Sequence, residues 1–162
     1  MFKKFAIAAP LAALALGSSV VFAASETRHT IQLTAHVPTK TFHVQPVDPD
    51  LVIRDQVLSY NPATGDLSTL RAAFDTRHTA GAIEASLESA ATLFNGSDTV
   101  PLTVKFNGKD LKVGTAQEVL SEADAAAGRR VDLEIIPTKP ADGYAAGDYT
   151  GTVSMIFDAV AA

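Results

Sequence analysis

The chain has no cysteine and no tryptophan. Without a thiol it can hold no disulfide framework, thiolate metal site, iron–sulfur cluster or cysteine nucleophile, whatever its compartment. Basic residues are in deficit as well: 13 Lys and Arg stand against 18 Asp and Glu, for a formal charge of −5. That balance lacks the basic footprint that nucleic acid or an anionic membrane surface would require. Catalytic patterns are missing too. No serine sits in a Gly-x-Ser-x-Gly elbow, and neither Gly-x-Gly-x-x-Gly nor a phosphate-binding loop occurs.

The only long apolar run is at the start. Lys3 and Lys4 precede the apolar stretch Phe5 to Leu16, and Val21-Phe22-Ala23 places small residues at the −3 and −1 positions of a cleavage site. These are the features of a secretory signal peptide cut after Ala23, and no second apolar run follows to stop transfer, so the mature chain has no membrane span. Removing residues 1–23 takes away two lysines and no acid, which moves the charge from −5 to −7. Residues 24–162 are enough for one domain with a real core, outside the cytoplasm.

The chain has four histidines, the side chains best suited to hold a metal. His29, His36 and His43 lie seven apart, which alternates faces on a strand, and Pro38 and Pro46 forbid a single helix that would align them. The expectation is surface histidines, His78 included, and no metal or cofactor. Asp66, Asp75 and Asp124 make no convincing partner set for His78, so no enzyme is expected. Asn95-Gly96-Ser97 fits a glycosylation sequon, but a turn between strands explains it as well.

What is present is alternation with a period of two, which predicts an all-β domain. Thr30 to Val37 carries Ile31, Leu33, Ala35 and Val37 on one face. Val100 to Phe106, Asn107-Gly108, and Lys109 to Val113 read as a two-residue hairpin, because Asn-Gly accepts the positive φ angles of a type I′ turn. That register sets Val104 against Leu111 and Leu102 against Val113. Val131, Leu133 and Ile135 mark another strand, Leu70, Ala72 and Phe74 a further one, and Val57 to Tyr60 a short one. Ile83 to Leu93 fits both periods and is read as strand. The longest clear strand is expected from Tyr149 to Phe157, with Tyr149, Gly151, Val153, Met155 and Phe157 on one face. Gly151 in that face marks either close backbone approach or a bulge. One short helix is expected over Thr115 to Ala127, with Thr115 and Glu118 as a capping box and Gly128 at its end. Seven or so short strands between turn residues predict a β-sandwich.

The N-terminal strand is the odd element. It has no hairpin partner nearby, and Pro38 ends it by removing a donor and serves as a hinge to the Pro-rich stretch of Pro46 and Pro49. A free strand with an apolar stripe needs a sheet to join. On pattern alone it also fits an ordinary first strand pairing within its own domain.

In order along the chain, "TIQLTAHVP", "LSYNPAT", "VPLTVKFNGKDL" and "AGDYTGTVSMIF" resemble the major pilins of the alternate chaperone/usher pathway, which include colonisation-factor fimbriae and cable pili. The resemblance runs from Thr30 to Val160 and is most specific in the Gly-x-Tyr-x-Gly-x-Val segment. It implies an immunoglobulin-like β-sandwich lacking one strand, with residues 24–38 as a donor extension and 39–162 as the pilin domain. Ile31, Leu33, Ala35 and Val37 would fill the groove of a neighbouring subunit, and the strand carrying Tyr149, Gly151, Val153, Met155 and Phe157 would form a groove wall. The same five residues also fit a plain core strand. The implied partners are identical subunits in a head-to-tail filament, a periplasmic chaperone, an outer-membrane usher and a tip adhesin. The implied place is a cell-surface fimbria reached through the periplasm. A different class, a monomeric β-sandwich adhesin binding a glycan or protein directly, is the alternative.

Overall fold

The computed structural model describes residues 32, 35 and 41–161. The expected leader lies outside them, as do Ile31, Leu33, Val37 and Pro38 of the N-terminal segment. Gln32 and Ala35 are exposed and outside any strand.

From residue 41 the chain forms β1 (Phe42–Pro46), α1 (Asp50–Ile53), β2 (Tyr60–Asn61), β3 (Asp66–Leu67), β4 (Leu70–His78) and β5 (Gly81–Leu87). It continues with β6 (Thr92–Phe94), β7 (Thr99–Phe106), β8 (Lys109–Asp110), β9 (Gln117–Leu120), α2 (Glu122–Ala127), β10 (Arg129–Pro137) and β11 (Met155–Ala161). One sheet runs β1-β4-β10-β7-β6, with β8 attached to β7; a second runs β11-β5-β9; β2 and β3 make a small separate hairpin. The architecture is an all-β sandwich with two short helices.

Alternation explains which side of each strand is inside. Phe74, Thr76 and His78 of β4, Val131, Leu133 and Ile135 of β10, and Val104 and Phe106 of β7 face Ile83, Ala85 and Leu87 of β5 and Val119 of β9, and all are buried. The two sheets meet at three aromatic rings. Phe106 lies 5.4 Å from Phe74 and 4.9 Å from Phe157, centroid to centroid, so β4, β7 and β11 are packed together through one cluster. On the outer face, charges sit opposite one another across strands. Arg130 clasps Asp75 with two hydrogen bonds of 2.8 and 3.0 Å, and those bonds hold the Asp75 carboxyl below its usual pKa. Arg71 meets Glu134 at 3.1 Å. These exposed pairs fix register and add little stability.

The Asn-Gly hairpin forms as its sequence dictates, with Asn107 at φ 50° and Gly108 at φ 74° and Phe106 opposite Lys109. Leu111 N still donates to Val104 O at 2.8 Å, but β8 ends there. The expected Leu102–Val113 pair does not form. Val113 crosses to the other sheet and bridges Leu87, while Leu102 N bonds Ala91 O at 2.9 Å and Leu102 faces Pro137 of β10. β10 occupies the other edge of β7; on the hairpin's own edge the place beside Leu102 is taken by Ala91 and β6, so the arm leaves the sheet after Leu111.

Three other expectations change at their boundaries. The helix is confined to Glu122–Ala127, capped by the Ser121 hydroxyl at Asp124 N and closed by Gly128 at φ 76°. Thr115 and Glu118 form no capping box, because Gln117–Leu120 is a strand on β5 that buries Val119 and Leu120. Ile83 to Leu93 is strand, broken into β5 and β6 by residues 88–91. In Val57 to Tyr60 only Tyr60 pairs, opposite Leu67. His78 is also no surface residue. It is buried at the β4–β5 turn, with Nδ1 2.9 Å from Ala82 O and its ring edge-on to Phe42 at 5.7 Å.

Phe106 joins both sheets and is fully buried, so Phe106→Ala is expected to cost about 3–5 kcal/mol in denaturant unfolding. Exposed Val113→Ala should stay within about 0.5 kcal/mol.

Candidate functional site

The feature that sets this sandwich apart is an open groove along one side. One wall is the segment after β1, residues 51–58. It leaves α1 through an extended Arg54 and, among the described residues, no backbone hydrogen bond joins residues 55–58 to another strand. The opposite wall is residues 147–155 leading into β11, and among the described residues β11 pairs with β5 alone, which leaves its outer edge without a partner among them. Two antiparallel runs of chain thus face a common gap, and among the described residues neither bonds its backbone across it.

Between the walls lie two adjoining cavities of about 400 and 510 Å³, which share Asp55, Gln56, Leu58, Leu93 and Gly151. The floor of the first is Leu70, Phe74, Leu102, Leu133 and Ile135. It is core left partly uncovered. Leu51, Leu70, Leu102, Val153 and Met155 pack on the buried cluster while remaining half-exposed, and all five line this cavity. On the rim, Val52 and Val57 are 72% and 83% exposed. Apolar surface of this extent, left in water, is costly, and a strand laid along the floor would cover it.

The second cavity is more polar, bounded by Tyr60, Leu67, Asp148 and Tyr149. Side-chain clamps hold this end in shape. Lys139 Nζ donates to Asp66 Oδ1 at 2.9 Å and to Thr64 O at 3.0 Å, tying the loop after β10 to the β2–β3 hairpin. The Lys139 hydrogen bond lowers the Asp66 pKa from its ordinary value. Tyr60 and Tyr144 meet edge to face at 6.4 Å, and the Tyr149 hydroxyl donates to Ala145 O at 3.0 Å.

Gly151 is where the second wall changes sheets. Thr150 exchanges two backbone bonds with Phe94 of β6, at 2.8 and 3.0 Å, and four residues later Ser154 O accepts from Glu88 N beside β5. Residues 151–154 are the crossing, so the expected continuous strand Tyr149 to Phe157 is instead a bridge at Thr150 followed by β11 from Met155 to Ala161. Close approach explains the glycine: a β-carbon at 151 would overlap the Thr92 carbonyl oxygen and stand 3.0 Å from Leu93 Cδ2.

Of the residues expected on a groove wall, Tyr149, Gly151, Val153 and Met155 line the cavities. Phe157 does not, lying instead in the aromatic cluster beneath. Sequence reasoning missed the other wall, residues 51–58, and the floor. The available signal was two apolar groups, Leu51-Val52-Ile53 and Val57-Leu58, that follow Pro46 and Pro49 and lack the alternation of a strand with one polar face. The three carboxylates set beside His78 in the sequence analysis are each held by a cation: Asp66 by Lys139, Asp75 by Arg130 and Asp124 by Arg129. Among the described residues no three His, Asp or Glu side chains gather as a metal site, and no helix is long and apolar enough to cross a membrane.

Comparison with known proteins adds two findings. The family model described as CS1 type fimbrial major subunit matches residues 27–158. Among solved structures, the CooA pilin subunit from enterotoxigenic Escherichia coli has a similar fold, with a TM-score of 0.56 and 20% sequence identity, over 71% of this chain and 86% of that one. No curated protein matches the chain.

Because its β-carbon has nowhere to go, Gly151→Ala should destabilise the domain by about 1–3 kcal/mol. The Phe94 and Thr150 amides should lose hydrogen-exchange protection with it. Unchanged stability and protection would show that the crossing tolerates a side chain.

Proposed function

The chain belongs to the CS1 type fimbrial major subunits, and from that premise we propose that it is the shaft subunit of an adhesive surface fimbria that polymerises by donor-strand exchange. The observation that carries this reading is the groove: two walls with no backbone bond across the gap among the described residues, over a half-exposed apolar floor. Its proposed occupant is the N-terminal segment of the next subunit. Ile31, Leu33, Ala35 and Val37 would descend onto the floor while the backbone of that segment bonds residues 55–58 on one side and the outer edge of β11 on the other.

The energetics are adequate without any covalent link, which suits a chain with no cysteine. Burying Ile, Leu and Val contributes roughly 1.5–3 kcal/mol each, Ala less, and ladder hydrogen bonds about 1 kcal/mol apiece. Each subunit gives one segment and receives one, so the contact is head-to-tail and propagates as a filament. Before assembly the same groove needs a temporary occupant, which is the role of a periplasmic chaperone, and export calls for an outer-membrane usher. The role is structural and not enzymatic. Attachment to host cells or surfaces would be the task of the fibre, with receptor contact left to a tip adhesin.

The test compares the exported chain with a version beginning after Val37, with and without a Ser25–Val37 peptide. The reading predicts a shortened chain that unfolds at low temperature alone, is rescued by the peptide and cannot form ladders on unboiled gels. A shortened chain that is stable and indifferent to the peptide would contradict it.

A further inference from the structure

Three asparagines occur in the chain, and two of them, Asn95 and Asn107, stand between a phenylalanine and a glycine. The third, Asn61, precedes Pro62, whose nitrogen has no hydrogen to lose. Both Phe-Asn-Gly sequences close β-hairpins, Asn95 between β6 and β7 and Asn107 between β7 and β8. An asparagine followed by glycine is open to attack on its side-chain amide by the next backbone nitrogen, because glycine puts no β-carbon in the way. The sequence effect is shared, so the fold decides which of the two reacts.

At Asn95 the side chain folds over the turn. Its Oδ1 accepts from Ser97 N at 2.9 Å and from Asp98 N at 2.6 Å, while Asn95 N donates to Asp98 O at 3.2 Å. The Gly96 nitrogen is part of the ring these bonds close, and among the described residues it donates to nothing. Asn95 Nδ2 reaches only Asp98 Oδ2, at 3.5 Å. Asn107 has the opposite arrangement. Its Nδ2 donates to Val119 O at 2.6 Å, its backbone amide donates to Asp132 O at 2.9 Å, and among the described residues nothing donates to its Oδ1. It also sits in a two-residue turn, at φ 50° with Gly108 at φ 74°, clamped by the Phe106–Lys109 pair. Asn95 to Asp98 is a four-residue loop between Phe94 and Thr99, with more freedom to bring the Gly96 nitrogen onto Asn95 Cγ.

We propose that Asn95 is a self-deamidating site and that its isoaspartyl product loosens the second wall of the groove. Gly96 N gives its proton to solvent base and bonds Asn95 Cγ. The charge that develops on Oδ1 is received by the Ser97 and Asp98 amides, which act as an oxyanion hole. The Cγ–Nδ2 bond then breaks, and Nδ2 leaves as ammonia with a proton from water. Water opens the resulting cyclic imide at one of its two carbonyls, giving aspartate or isoaspartate with no oxidation or reduction. At Asn107 no amide stands ready for that charge, and the nitrogen that must leave is tied to Val119 O. The aspartate product keeps an oxygen for both amides. In isoaspartate the main chain runs through the former side chain, and those bonds are lost. Asn95 also packs on the wall: its Nδ2 and Cβ stand 3.3 and 3.4 Å from where Gly147 would carry a β-carbon. It directly follows Phe94, whose two bonds with Thr150 anchor that wall, so the isoaspartyl change is felt at Thr150.

Both sites lie in the full exported chain, so every sample contains its own reference. The chain is incubated at mildly alkaline pH in water enriched in heavy oxygen, and conversion at residues 95 and 107 is followed by peptide mapping that separates aspartyl from isoaspartyl forms. In the folded chain Asn95 is expected to convert at least about tenfold faster than Asn107. In denaturant the two rates are expected to draw together, since both sequences read Phe-Asn-Gly. Exposure alone predicts the reverse order, because Asn107 is exposed and Asn95 half-buried. Equal rates in the folded chain, faster conversion at Asn107, or a ratio that survives denaturation overturns the site. For the wall, the Phe94 and Thr150 amides should lose hydrogen-exchange protection in the isoaspartyl fraction, whereas an Asn95→Asp chain should retain it. Isoaspartyl chains with full protection at both amides overturn the coupling to the wall.

Discussion

Unpaired backbone along both sides of one gap is the constraint from which the rest of this structure follows. Residues 55–58 and the outer edge of β11 carry donors and acceptors that have no partner among the described residues. In a sandwich such edges are normally shortened, charged or covered. Here they remain extended and stand over Leu70, Leu102, Val153 and Met155, which are attached to the core but not sealed into it. The core is sealed around Phe74, Phe106 and Ile83, and on the groove side it ends in half-exposed apolar residues.

Much of the remaining architecture serves to keep that gap open. The crossing at Gly151 lets one stretch of chain serve β6 with Thr150 and β5 with β11, so the second wall is anchored to both sheets. Lys139 and the Tyr60–Tyr144 contact tie the β2–β3 hairpin to the loop that forms the far end. A groove whose walls are pinned at both ends accepts a strand without having to reorganise, which lowers the cost of ordering at the moment of insertion. The chain belongs to the fimbrial major subunits, and the proposed use of this geometry is to take a neighbour's strand.

The sequence was legible where a local rule and the tertiary fold agreed. Asn107-Gly108 can make few turns other than the one it makes, and Val131, Leu133 and Ile135 alternate into the core as written. It misled where one pattern served two ends. Thr115 to Ala127 has helical spacing throughout, but Val119 and Leu120 are claimed by β5, and only the part after Ser121 is left to coil. Tyr149 to Phe157 alternates without a break although its two halves belong to different sheets, because each half faces inward and a glycine conceals the change. The groove floor was illegible for a deeper reason: Leu70, Leu93 and Leu102 are composed like any core residues, and only the missing neighbour distinguishes them. The segment proposed to fill the gap was recognisable by the opposite property, an alternating strand with nothing nearby to pair with.

The central claim is that both walls are waiting for a strand. Hydrogen exchange on a chain lacking residues 1–37 tests it most directly, followed at the amides of 55–58 and 155–161 as Ser25–Val37 peptide is added. The account predicts fast exchange at 55–58 and at the outward amides of 155–161 without peptide, and slowing at both walls together once it binds. Slowing at neither wall, or at one alone, would contradict a groove that takes a strand between its two edges.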